Sequence, residues 1–293
     1  TMGNLKEIRV RIASVQSTQK ITSAMKLVSA AKLRRAQNAI IGLRPYSNKL
    51  NEILSNLSSS LENSAEMPLL KTRNIEKVVL VVISSNRGLC GGFNSNIVKE
   101  VIRVVENRYA QQNQEGNLQL ICLGKKAAEQ LSKKYNVISV NEEVIETSQF
   151  TVISDLAEKL MKQYINREVD KVEVIYNRFQ NAATQYVQTE NYLPVENLTA
   201  QQDNATHIDY IFEPSREELV SELIPKILKL QLYKTLIDSI ASEHGARMTS
   251  MAKATDNATE ILKELKLKYN NARQAAITNE LNEIVSGANA MNN

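Results

Sequence analysis

The chain has 293 residues, 43% of them hydrophobic, which is enough core for one sizeable domain or two modest ones. Nine Gly, five Pro, no Trp and 5% aromatics, beside plentiful Lys, Glu, Ala, Leu and Gln, argue for long helices rather than an all-β fold. A net charge of +4 is too mild to name a partner by itself, so its distribution matters more.

Residues 1–62 read as a coiled-coil helix. Leu5, Ile8, Ile12 and Val15 are spaced three and four apart. Ala36, Ile40, Leu43, Leu50, Leu54, Leu57 and Leu61 keep that rhythm, with Ser47 filling one slot. Between the two series the seam is expected to slip to Ile21, Met25 and Val28, changing the local winding. Pro45 is expected to kink the helix, because its ring meets the carbonyl of Ile41. Residues 1–44 hold nine basic side chains against the single acid Glu7, a surplus of eight. Such a face suits an acidic partner, nucleic acid or an anionic membrane surface.

Residues 71–214 alternate strand with helix. The run 78–84 is apolar and β-branched, as a strand covered on both faces requires. A glycine-rich loop fills 86–94, followed by an amphipathic helix over 95–112. Strands are expected at 118–123, 137–140, 171–179, 185–192 and 207–212, and helices at 125–134 and 152–166. This order predicts a Rossmann-like, mainly parallel sheet with antiparallel strands at its end.

Residues 215–291 read as one long helix with no proline after Pro225. The expected seam is Leu230, Tyr233, Ile237, Ile240, His244, Met248, Met251, Thr255, Ala258, Leu262, Leu265, Tyr269, Ala272 and Ala276. One extra step of four after His244 is a stutter. A rod of roughly 110 Å has to reach beyond its own domain. The expected fold is therefore an α+β and α/β chain. Its terminal segments form a long antiparallel two-helix coiled coil, with an α/β domain inserted between them.

Chemical motifs are sparse. Cys90 and Cys122 have no CxxC partner and read as buried free thiols. His207 and His244 lie in no cluster with metal-ligand spacing. The Gly88, Gly91 and Gly92 loop follows a strand and opens a helix, where phosphates are often held. It lacks both GxGxxG and the Gly-Lys-Ser/Thr of a phosphate loop, so a tight turn is the expected role. A nucleotide-binding enzyme is the alternative reading. Nucleic-acid binding is not expected, because the basic arm lacks aromatic interleaving. Residues 1–20 carry no apolar signal-peptide core and no run spans a bilayer, so no direct membrane insertion is expected.

Five segments carry a family resemblance: TQKITSAMKLVSAAKLRRAQ at 18–37, RGLCGGFN at 87–94, SEHGARMTSM at 242–251, ARQAAIT at 272–278 and ELNEIVSGA at 280–288. In order and spacing they resemble the gamma subunits of F-type ATP synthases. Asn86 stands where that family usually has Asp, and Ser23 and Lys26 also depart from its pattern. The cysteine-bearing insertion of chloroplast members is absent.

The resemblance implies a rotating central shaft without catalytic residues, placed inside a ring of alpha and beta subunits. It implies further contacts with an epsilon subunit and a membrane ring of c subunits. It implies no cofactor on this chain, with ATP, ADP and Mg held by partner subunits. Implied contacts with the catalytic ring are Arg273, Gln274, Lys20, Met25, Lys26, Lys32 and Arg34, with Ile284 and Val285 turning in an apolar sleeve. Implied contacts with the membrane rotor ring are Arg44, Tyr46, Tyr210, Phe212 and Glu213. The implied place is peripheral, on the cytoplasmic face of a bacterial plasma membrane, or the matrix face in mitochondria.

Overall fold

The computed structural model describes residues 2–58, 68–195 and 216–291, of which 2–4, 51–58, 216–220 and 288–291 are described by backbone only. In chain order the elements are helix α1 (Met2–Ser58), strand β1 (Val78–Ile83), α2 (Phe93–Arg108), α3 (Ala110–Gln114), β2 (Leu118–Leu123), α4 (Lys125–Leu131), β3 (Val137–Asn141), α5 (Glu143–Thr147), α6 (Phe150–Ile165), β4 (Lys171–Phe179), β5 (Gln185–Leu193) and α7 (Arg216–Met291). The chain divides into two units, Thr1–Ser29 with Met248–Asn293, and Ala30–Arg247.

The second unit holds a five-stranded sheet in the order β3-β2-β1-β4-β5. β1 pairs in parallel with β2 and β4, β2 pairs in parallel with β3, and β5 returns antiparallel to β4. All six residues of β1 are buried, because helices cover both faces of a central parallel strand. Phe93, Ile97, Val101, Val104 and Val105 of α2, with Ala127 and Leu131 of α4, pack on Val78, Leu80 and Val82 of β1.

Local differences from the sequence expectation have local causes. The helix expected over 95–112 breaks at Tyr109, which leaves helical geometry (φ −127°) while its ring is buried in the core. The short α5 had no apolar period to announce it. Its first turn is held by the Asn141 Oδ1, which accepts a bond from the Val144 N–H at 3.1 Å. α1 runs on through Pro45. The strand expected at 207–212 lies outside the described residues.

One glycine is indispensable where β2 turns into α4. Gly124 has φ +101°, and a Cβ there would sit 2.1 Å from the carbonyl oxygen of Ser84. The close approach lets the Ser84 hydroxyl accept the Ala127 N–H (3.1 Å) at the start of α4.

The expected seam of α7 holds only in part. From Thr235 to Arg247 every residue is buried, so this stretch has no exposed side. Its polar residues are taken up by the domain itself. Ser242 donates to the carbonyl of Asn177 (2.9 Å), and Gly245 lets the backbone of Ala182 approach to within 3.3 Å of where a Cβ would be. Polar residues around the whole circumference conceal such burial from any hydrophobic period.

Candidate functional site

In the first unit α1 and α7 pair antiparallel. Arg9 donates to the Tyr269 hydroxyl (2.8 Å), Gln19 to the Thr259 hydroxyl (2.7 Å), and the hydroxyls of Thr22 and Thr255 meet at 2.8 Å. Residue numbers on one helix climb as those on the other fall. The α7 side of the seam, Met251, Thr255, Ala258, Leu262, Leu265, Tyr269, Ala272 and Ala276, is buried or half-buried, as its spacing predicts.

On α1 the register does not slip. Gln19, Thr22 and Ser29 carry the seam onward from Val15, while Ile21 and Val28 are each 57% exposed. Short polar residues fill the middle of the interface because they can hydrogen-bond across it. Of the three residues expected in a slipped seam, Met25 is half-buried between Thr22 and Ser29, while Ile21 and Val28 belong to a second stripe. Val10, Ile21 and Val28, with Ser14, Ser17 and Ala24 between them, form an exposed row at three-and-four spacing on the face away from the seam. α7 has a matching outward row of Leu267, Asn270, Gln274, Ile277, Leu281 and Ile284, all exposed. Exposed apolar rows left open on the outward faces of a helix pair are candidates for an interaction surface.

Of the contact residues inferred for the catalytic ring, Lys20, Lys26, Arg273, Gln274, Ile284 and Val285 are exposed in this unit, and Met25 is half-buried. The structure brings Gln274 and Ile284 into one row. Lys32, Arg34, Arg44 and Tyr46 are exposed in the second unit. Tyr210, Phe212 and Glu213 lie outside the described residues.

Sequence reasoning missed a buried charge cluster in the second unit. Arg247 Nη1 bonds Glu243 Oε1 at 2.5 Å and lies 3.4 Å from His244 Nδ1. Its Nη2 donates to the carbonyls of Arg87 (3.0 Å) and Gly88 (3.3 Å) in the glycine loop. The signal was present as opposite charges four apart on a helix. Burial, then Arg247 and Lys32, push the His244 pKa down to about 4, so the imidazole is neutral. Burial pushes the Glu243 carboxyl up, against the opposing pull of Arg247.

The same loop carries Leu89 in the left-handed region (φ 63°), a conformation that costs a non-glycine residue about 1–2 kcal/mol. A phosphate cradle offers backbone N–H groups to an anion. Here a guanidinium occupies the loop carbonyls instead, and the Ser85 N–H is taken by Asn94 Oδ1 at 3.1 Å. Cys90 and Cys122 are buried free thiols; burial raises both, Cys122 to about 12. No helix among the described residues is long and apolar enough to cross a membrane.

Comparison with known proteins agrees with this arrangement. The ATP synthase family profile matches residues 4–291. The ATP synthase gamma chain of Cytophaga hutchinsonii is 51% identical over 295 residues, covering 100% of both chains. That of Flavobacterium johnsoniae is 53% identical over 291 residues, covering 99% of this chain and 100% of the relative. Among solved structures, a chain of the Tetrahymena thermophila mitochondrial ATP synthase central stalk and c-ring is 27% identical with a TM-score of 0.58, covering 80% of this chain and 99% of that one. A chain of the Euglena gracilis mitochondrial ATP synthase has a TM-score of 0.68 at 20% identity, covering 99% of this chain and 95% of that one, and shares the fold. With full-length relatives at this identity and a profile spanning nearly every residue, the chain belongs to the ATP synthase gamma chain family.

Proposed function

We propose that this chain turns as the central shaft of an F-type ATP synthase, linking a membrane rotor ring to the catalytic head while holding no catalytic group of its own. The observation that carries this reading is the antiparallel helix pair, hydrogen-bonded across its seam and with exposed apolar residues on its outward faces. A shaft serving three equivalent sites must offer each a different face. The rows differ residue by residue, Val10, Ile21 and Val28 on one helix against Leu267, Ile277 and Leu281 on the other. Rotation then changes which face a site meets, and shifts that site's open–closed equilibrium through differential contacts alone.

In this reading Arg273, Gln274, Lys20, Met25, Lys26, Lys32 and Arg34 meet the alpha and beta subunits, and Ile284 and Val285 turn against an apolar sleeve. Arg44 and Tyr46, with Tyr210, Phe212 and Glu213, face the ring of c subunits, and an epsilon subunit is a further partner. ATP, ADP and Mg bind on the partner subunits. In this reading the complex sits at the cytoplasmic face of the plasma membrane, in keeping with the bacterial origin of the two relatives that are 51% and 53% identical in sequence.

The test is reconstitution of the chain with alpha, beta, epsilon and membrane-sector subunits in vesicles. ATP-driven proton uptake that requires this chain is expected. Uptake unchanged without it would sink the reading.

A further inference from the structure

The geometry points to Arg247 as a positioning residue that fastens the glycine loop 86–92 to the part of α7 that lies within the second unit, so that the first turn of the sheet domain and that stretch of helix move together. Four observations carry it. Arg247 is buried, although an isolated guanidinium is rarely taken out of water. Its charge is met one turn earlier by Glu243, also buried. Its second nitrogen spans two successive loop carbonyls, Arg87 and Gly88. Those carbonyls belong to the turn that carries Leu89 at φ 63° and holds its side chain 63% exposed, a conformation the loop needs outside help to keep.

The base of the loop has its own ties. Asn94 donates to Ser85 Oγ (2.8 Å) and to Cys90 Sγ (3.2 Å), and Ser85 Oγ donates to the Arg87 carbonyl (2.7 Å). These ties join β1 to α2, and neither residue is on α7. Arg247 supplies the link to α7, which is why its chemistry matters. A planar fork with several donors reaches a carboxylate and two carbonyls at once, and a lysine ammonium has no such spread.

The loop contains a reporter of its own closure. Cys90 is buried against Ser85 and Asn94, and Cys122 is buried in β2, in the same core but outside the loop's hydrogen bonds. Alkylation of the native full-length chain by N-ethylmaleimide, quantified separately at the two thiols by peptide mass spectrometry, reads local opening of the loop against the rest of the domain. Arg247→Ala is expected to raise the Cys90 rate by roughly tenfold or more with Cys122 unchanged, from the loss of charge-assisted bonds. Arg247→Lys is expected to fall between wild type and Ala.

Charge alone works in the other direction. Arg247 draws the Cys90 thiol toward its reactive thiolate, so removing the charge without opening the loop slows alkylation. An unchanged or slower Cys90 in both variants overturns the assignment. Equal acceleration at both thiols also overturns it, because it would mark Arg247 as a general core residue.

The consequence for coupling rests on the rotor reading. In the reconstituted complex, Arg247→Ala is expected to lower protons pumped per ATP by more than it lowers hydrolysis, with Arg247→Lys partly restored. Loop opening without a change in that ratio overturns the coupling consequence and leaves the fastening intact. A complex that pumps without this chain overturns the rotor reading instead.

Discussion

The hydroxyls of Thr22 on α1 and Thr255 on α7 lie 2.8 Å apart in the middle of the helix seam, each with a second contact to its own helix. Thr255 donates to the carbonyl of Met251 at 2.8 Å, so its oxygen can accept from Thr22, whose single proton is shared between Thr255 and the carbonyl of Gln19 (3.1 Å). The pair is one short chain of donors passing from helix to helix.

Replacing either threonine by valine is expected to destabilise the helix pair by about 0.5–1 kcal/mol, since the remaining hydroxyl keeps a backbone partner. The double valine variant is expected to cost less than the two single changes together, because it removes both polar groups at once. Urea denaturation of the four proteins of this cycle measures the coupling. Additive costs would show that the two hydroxyls do not act together.

Gly124 and Gly245 separate two kinds of close approach. Gly124→Ala is expected to cost about 3 kcal/mol or more, because its Cβ would overlap a backbone oxygen at a positive φ. Gly245→Ala is expected to stay within about 1 kcal/mol of wild type. The gain in helix propensity offsets a contact with Ala182 that is tight by only a few tenths of an ångström. Thermal and urea melts rank the two, and an inverted ranking would contradict the geometry.

Two buried groups on α7 give opposing pH dependence. Burial raises Asp238 to about 6, against the pull of Lys234, Arg178 and Arg44 and with Glu190 adding to the rise. Its contribution to stability is fully present below the unfolded value of 3.8 and is lost as pH rises through about 6. His244 is depressed from 6.5 to about 4, so its contribution is present above 6.5 and is lost as pH falls toward 4.

The two slopes largely cancel between pH 4 and 6. Asp238→Asn removes one of them, and is expected to stabilise the protein at pH 8 by roughly 1–3 kcal/mol, with the difference shrinking toward pH 4. Stability of the variant measured at pH 4, 6 and 8 checks this. A constant offset across the range would rule out the titration.

Arg273 and Gln274 are exposed, so Arg273→Ala and Gln274→Ala are expected to leave the unfolding midpoint within about 0.5 kcal/mol of wild type. Loss of coupled proton pumping in the assembled complex is expected in both. Unchanged pumping in both variants would remove these residues from the proposed contact with the head.

The middle of the sheet was legible because β1 and β2 are short apolar runs and α2 and α6 have clear apolar faces, features that the short α5 lacks. The seam of α7 was legible from Met251 to Ala276 for the same reason. The seam of α1 was misread where Gln19, Thr22 and Ser29 replace apolar residues, since hydrogen bonding across an interface leaves no hydrophobic period. Thr235–Arg247 was misread as two-sided, because Asp238, Glu243 and Arg247 conceal burial on every side. Arg247 lies within a family segment, but nothing in the sequence ties its second nitrogen to two carbonyls 159 and 160 positions away.

The opposed numbering of Arg9 with Tyr269 and Thr22 with Thr255 also constrains how such a sequence can change length. One residue inserted into either helix between these contacts turns everything beyond it by about 100°, carrying hydroxyls outward and exposed apolar side chains into the join. Length changes here are tolerable only in whole heptads, or when both strands change in step. Point substitutions should therefore accumulate in this stretch while insertions and deletions are confined to other parts of the chain.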